Sequence, residues 1–108
     1  MQSVIARAVK LAGTARHRSH KHSAMVFRGG ALISQGVNHD TQHAEVQALK
    51  KLWPSHREGT TVLTIRMTKG GVLGMAKPCP ICEAYMRGAG VKKVIYSDKN
   101  GQMVTMRL

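Results

Sequence analysis

Pro78-Cys79-Pro80-Ile81-Cys82 holds both cysteines of the chain, and His43-Ala44-Glu45 stands ahead of it, with thirty-six positions from His43 to Cys79. Together the two stretches offer an imidazole, two thiols and one carboxylate. Cys79 and Cys82 have neighbouring spacing on a helix face, and Pro78 and Pro80 suit a helix start, where a missing amide hydrogen would be unpaired anyway. Successive helical residues rotate by about 100°, so His43 and Glu45 would point to nearly opposite sides inside a helix and can converge only at its first turn. Both clusters are therefore expected to open helices. Two helix N-termini aimed at one point add partial positive charge, which favours thiolates and any anion forming between them.

Working outward, Lys69 to Lys77 reads as a glycine-containing loop leading into the cysteines, and Thr60 to Met67, rich in β-branched residues, as a central strand. Cys82 to Arg87 continues as a short helix ending at Gly88. Val91 to Tyr96 and Met103 to Arg107 are further strands, with Asn100-Gly101 as the turn between them. Six residues separate Tyr96 from Met103, too few for the roughly ten of a helical crossover, so these last two strands should pair antiparallel. Upstream, Ala44, Val46, Ala48, Leu49 and Leu52 trace a helix that Pro54 ends shortly after Trp53. Gly36 to Gln42 is a polar loop. Ala24 to Arg28 and Ala31 to Gln35 are strands of a hairpin turning at Gly29-Gly30. Ser3 to Ala12 is an amphipathic first helix stopped by Gly13. Arg16 to His22 is almost wholly cationic or imidazole and is expected to be a solvated loop or a phosphate-contacting arm without regular structure. Phe27 and Trp53 are expected in the core, with the methionines filling gaps.

A length of 108 residues with 43% hydrophobic content suits a single domain over residues 1–108 with one modest core. No run approaches the ~20 apolar residues of a membrane span, and no apolar leader precedes a small-residue cleavage site. A soluble, cytoplasmic protein is the expectation. The formal charge of +12 favours anionic partners, either nucleotides or nucleic acid, without choosing between them. With both cysteines in one Cys-x-x-Cys, a disulfide framework is disfavoured and a ligand role favoured.

Two thiolates and a neutral imidazole suit zinc, give a formally neutral centre and leave a fourth position for water, as catalytic zinc sites require. Glu45 cannot also be a ligand without closing that position, so it is expected to move protons. Two blander readings remain. A redox Cys-x-x-Cys explains nothing about His43 and Glu45, and a four-ligand structural site needs one more ligand.

His-x-Glu followed by Pro-Cys-x-x-Cys is the known signature of the zinc nucleobase deaminases, and from about Ser3 onward the element order resembles the cytidine deaminase-like superfamily. That resemblance implies a three-layer α/β/α fold around a mixed five-stranded sheet, with His43, Cys79 and Cys82 on one zinc ion and Glu45 as proton shuttle. It also implies that Asn38 holds the base or sugar, that the backbone of Ala44 faces the substrate and that Asp40 stands where nucleoside-type members carry a glutamate. Asn38 and Asp40 are also ordinary turn formers. Deoxycytidylate, tRNA adenosine and polynucleotide-editing deaminases typically insert a helix before the last strand and run it parallel, so an antiparallel last pair favours the cytidine deaminase branch. The arginine that the branch carries after the second cysteine is absent; Glu83 stands there. The resemblance further implies a homo-oligomer whose pocket borrows residues from a neighbouring copy.

The expected activity is hydrolytic deamination of a cytosine base in a free nucleoside or nucleotide, giving the uracil product and ammonia. A deaminase acting on cytosine or adenine within single-stranded DNA or RNA is the alternative, motivated by the charge, although only four aromatic side chains are present for base stacking. A non-catalytic zinc-containing nucleic-acid-binding module is a third reading, which leaves Glu45 without a purpose.

Overall fold

Alternation along the strands sorts the core of this protein into two layers. The computed structural model describes residues 2–15, 21–38 and 43–108. In chain order these form α1 (Gln2–Ala12), β1 (Lys21–Arg28), β2 (Ala31–Val37), α2 (Ala44–Lys50), α3 (Pro54–Arg57), β3 (Thr61–Met67), β4 (Leu73–Gly74), α4 (Pro80–Ala89), β5 (Lys93–Ser97) and β6 (Met103–Arg107). The strands run in the order β2-β1-β3-β5-β6, with β4 on the end of β3. Among the described residues only β3 and β5 pair in parallel; the other pairings are antiparallel, including β5 with β6 as expected.

Ala24 and Val26 of β1, Val62 of β3 and Val94 of β5 lie against Ala44, Ala48 and Leu49 of α2 and Met86 of α4. The intervening residues Met25, Leu63 and Ile65 lie against Ala8 and Ala12 of α1 on the opposite face. The result is the three-layer α/β/α arrangement, with α1 on one side of the sheet and α2 and α4 on the other. Each fully buried large aliphatic side chain here contributes about 1.5–3 kcal/mol.

Glycine at 36 seats α2. A Cβ there would lie 2.8 Å from Ala48 N and 3.1 Å from Ala44 O, so only glycine lets β2 approach the helix backbone this closely. Two residues back along β2, Ser34 Oγ donates to Ala48 O at 2.7 Å. Gly29 and Gly30, both at positive φ (58° and 82°), make the tight β1–β2 turn. At the other hairpin, Asp98 Oδ1 accepts from Asn100 N (2.8 Å) and Gln102 N (2.9 Å).

Several expectations need correction. The sheet has a sixth strand, the two-residue β4, inside the stretch read as a loop. Residues Lys21 and His22 of the basic stretch begin β1 because they pair with Met67 and Arg66 of β3, while residues 16–20 lie outside the described residues. Pro54 does more than follow α2: it opens α3, where its missing amide costs nothing. Trp53 is 76% exposed and not part of the core, since α2 stops at Lys50 and the chain leaves the sheet before reaching it. Phe27 is half-buried on the α1 side. No helix among the described residues is long and apolar enough to cross a membrane.

Candidate active site

His43 is the N-cap of α2, with extended backbone (φ −77°, ψ 156°), and its side chain makes no capping hydrogen bond. Its ring reaches the cysteines instead. Nδ1 lies 3.0 Å from Cys82 Sγ and 3.8 Å from Cys79 Sγ. Cys79 is the N-cap of α4, where Pro80 takes the first helical position, and its sulfur accepts from the Cys82 amide at 3.4 Å. The two helix starts therefore meet, as their sequences require.

The three ligand atoms lie within 4.8 Å of one another. A tetrahedral ion bound at about 2.0 Å to nitrogen and 2.3 Å to sulfur needs ligand atoms roughly 3.5–3.8 Å apart, so small side-chain shifts suffice and the His-Cys-Cys set fits one zinc ion. Cys82 is buried, Cys79 half-buried and His43 exposed, which leaves the centre open on one side. Burial, the nearby Glu45 carboxylate and Cys79 all push the Cys82 thiol above its ordinary value. A bound cation reverses that balance, because a coordinating thiol is deprotonated outright.

Glu45, in the first turn of α2, is 3% exposed. Its Oε1 is buried with no hydrogen-bond partner among the described residues. Burial raises its pKa, against smaller lowering effects of its own backbone amide and of His43. A desolvated carboxyl beside the ligand set, with a free lone pair, is the kind of group that takes up and releases protons in catalysis.

The remaining expected residues are less uniform. Asn38 is buried at the end of β2, where its Oδ1 accepts from His22 N at 2.9 Å and its own amide donates to His22 O at 3.3 Å. Ala44 is fully buried, its side chain in the core beneath α2. Asp40 lies outside the described residues. Sequence reasoning passed over Thr64 and Arg66, whose Oγ1 and Nε are also buried without partners among the described residues. The signal was present in β3: a charged residue inside an apolar, β-branched strand, on the same alternate positions as Val62.

A family model described as the cytidine and deoxycytidylate deaminase zinc-binding region matches residues 1–98. The chain belongs to this family. The deaminase, a zinc-dependent hydrolytic enzyme of the nucleoside and nucleotide class, also resembles solved structures in fold. One is the dCMP deaminase from the cyanophage S-TIM5, at 22% identity and a TM-score of 0.69, over 91% of this chain and 82% of that one. Another is RibD of Acinetobacter baumannii, at 21% identity and a TM-score of 0.68, over 90% of this chain but only 27% of that one. A third is the diaminohydroxyphosphoribosylaminopyrimidine deaminase/5-amino-6-(5-phosphoribosylamino)uracil reductase of Thermotoga maritima, at 17% identity and a TM-score of 0.68, over 91% of this chain and 29% of that one. No curated protein sequence matches the deaminase.

Proposed function

We propose that the chain deaminates the cytosine base of a free nucleoside or nucleotide, with His43, Cys79 and Cys82 holding one zinc ion and Glu45 moving the protons. The observation that carries this reading is the buried, unpartnered Glu45 oxygen beside the His-Cys-Cys set. Zinc held there supplies Lewis-acid activation of water. Glu45 takes a proton from the attacking water, gives it to the ring nitrogen and then carries the second proton to the departing amine. Water and cytosine thus become a keto base and ammonia, with one C–O bond formed and one C–N bond broken. A positioned acid/base group of this kind contributes about 10²- to 10⁴-fold. Asn38, Asp40 and the Ala44 backbone orient the base and sugar, and copies of the chain assemble into a homo-oligomer.

The test is to incubate zinc-loaded protein with cytidine, deoxycytidine, their phosphates, adenosine, guanine and a cytosine-bearing oligonucleotide, and to measure ammonia. Release from the free cytosine compounds is expected; release from none of them overturns the reading. The charge of +12 supports a second one, action on single-stranded nucleic acid. Uracil appearing in the oligonucleotide, with binding that weakens steeply as salt rises, is its mark.

A further inference from the structure

On the face of the sheet away from α2, α4 and the metal ligands, a pocket of about 370 Å³ opens beside the first turn of α1. Small-molecule sites occupy roughly 300–1,000 Å³. Phe27 of β1, Leu63 of β3 and Ile95 of β5 floor it, and Val4 of α1 stands against them. Helix α1 packs chiefly on β1 and β3, so the apolar layer beneath it is left half-covered toward β5 and β6, where Ile95 and Met103 are only partly buried. At the rim, Gly29, Gly30 and Gly59 are bare backbone, and a Cβ on any of them would meet nothing within 4 Å. The opening is therefore unobstructed.

Register fixes the charge beside this floor. Phe27 pairs with Thr61, Thr61 with Lys93 and Lys93 with Arg107, a row across four strands at about 4.8 Å per step. Side chains alternate along a strand, so Lys93, two residues from Ile95, shares its face, and Arg107 directly opposite shares it too. Among the described residues Lys93 is the one charged side chain lining the pocket. Like charges placed opposite each other repel. Among the described residues the one ion pair joins Arg87 and Glu83, so no carboxylate neutralises Lys93 and Arg107. Glu58, next to the rim in sequence, turns its Cβ and Cγ toward Gly90, which follows α4. The first turn of α1 holds no acidic residue, and its unpaired amides add partial positive charge. An apolar slot edged by two uncompensated cations calls for an occupant that is apolar at one end and anionic at the other. A second copy of the chain does not meet that need: in a two-fold contact a patch meets itself, which would bring together the cation pairs of two molecules each carrying +12.

We infer that this pocket is a binding site, separate from the metal centre, for a small amphiphilic anion: a compound with an apolar ring or short chain and one carboxylate. The apolar body lies on Phe27, Leu63 and Ile95 against Val4, and the carboxylate meets Lys93 with Arg107 beside it. The inference goes beyond the deaminase reading and stands without it.

The test titrates zinc-loaded protein at neutral pH with 2-naphthoate, with uncharged 2-naphthol and with acetate, using calorimetry for affinity and amide NMR for position. Naphthoate is expected to bind about 10- to 100-fold more tightly than naphthol, the range of a charge-assisted hydrogen bond, and acetate not measurably. The amide signals of Gly29, Gly30 and Gly59 should move while those of Cys79 and Cys82 stay in place. Lys93→Gln should lower naphthoate affinity to that of naphthol and leave naphthol unchanged. Thr61→Phe, which fills the pocket from its floor, should abolish binding of both. Absence of naphthoate binding, or amide shifts confined to the surroundings of the metal ligands, overturns the inference. So does equal affinity of wild type for naphthoate and naphthol, the mark of an apolar surface that a protein neighbour covers. Naphthoate affinity undiminished in Lys93→Gln overturns it as well, and that variant decides where Thr61→Phe does not fold.

Discussion

Glu45→Gln is the sharpest perturbation of the site. Glutamine has the shape of glutamate, so a side chain that is 3% exposed keeps its packing and the ligand set is untouched. Zinc content should stay at one per chain. Proton transfer is what disappears, and the expected fall in kcat/KM of about 10²- to 10⁴-fold corresponds to roughly 2.7–5.4 kcal/mol of transition-state stabilisation. The same variant has a second readout in zinc-free protein. Burial raises the folded-state pKa of Glu45 above its ordinary 4.5. Its contribution to stability is therefore fully present below that value and is lost as pH rises through the folded-state pKa. Denaturant melts at about pH 4 to 8 should show wild type losing stability relative to Glu45→Gln as pH rises. Ammonia release, metal analysis and these melts together check the assignment. A zinc-loaded Gln variant with wild-type turnover would refute the proton-shuttle role, and wild type gaining relative stability with rising pH would refute the desolvation argument.

Cys79→Ser keeps an acceptor for the Cys82 amide and Cys79→Ala does not; both should lose zinc by metal analysis, and Ala should melt lower by an additional ~0.5–2 kcal/mol of lost capping. Gly36→Ala forces a Cβ to within 2.8 Å of the α2 backbone, so denaturant unfolding should register a loss of about 1–3 kcal/mol together with weakened zinc retention, because α2 carries His43. Gly90→Ala meets both a left-handed backbone (φ 87°) and Glu58 Cα at 3.1 Å, and should cost at least about 1 kcal/mol in the same assay with zinc content unchanged. Trp53→Ser, at a residue 76% exposed, should change stability by no more than about 0.5 kcal/mol.

The parts of the fold legible in the sequence are those that local chemistry dictates. The Gly29-Gly30 turn, the glycine stop of α1 and the proline start of α4 each follow from backbone preferences, and the short link from β5 to β6 leaves room only for a hairpin. The His43, Cys79 and Cys82 cluster was legible for a related reason: each terminal ligand position is fixed by a helix start. What escaped depends on long-range pairing. The β4 strand is two residues whose partner is the far end of β3. Lys21 and His22 read as solvated until β3 pairs with them. Trp53 looked like core because its hydrophobicity is visible in sequence and the end of α2 at Lys50 is not.

The two halves of the metal centre flank β3 in the chain: His43 precedes it and the cysteines follow. Before the sheet forms, only Cys79 and Cys82 are close, as two reduced thiols with nothing to hold them apart from an oxidant. During synthesis and refolding the sulfurs are thus exposed to disulfide formation until the imidazole arrives. The ion, by binding the completed trio better than the bare pair, favours the assembled sheet by mass action. Metal supplied before refolding, with reductant present, should accordingly raise the yield of competent protein more than metal added afterwards.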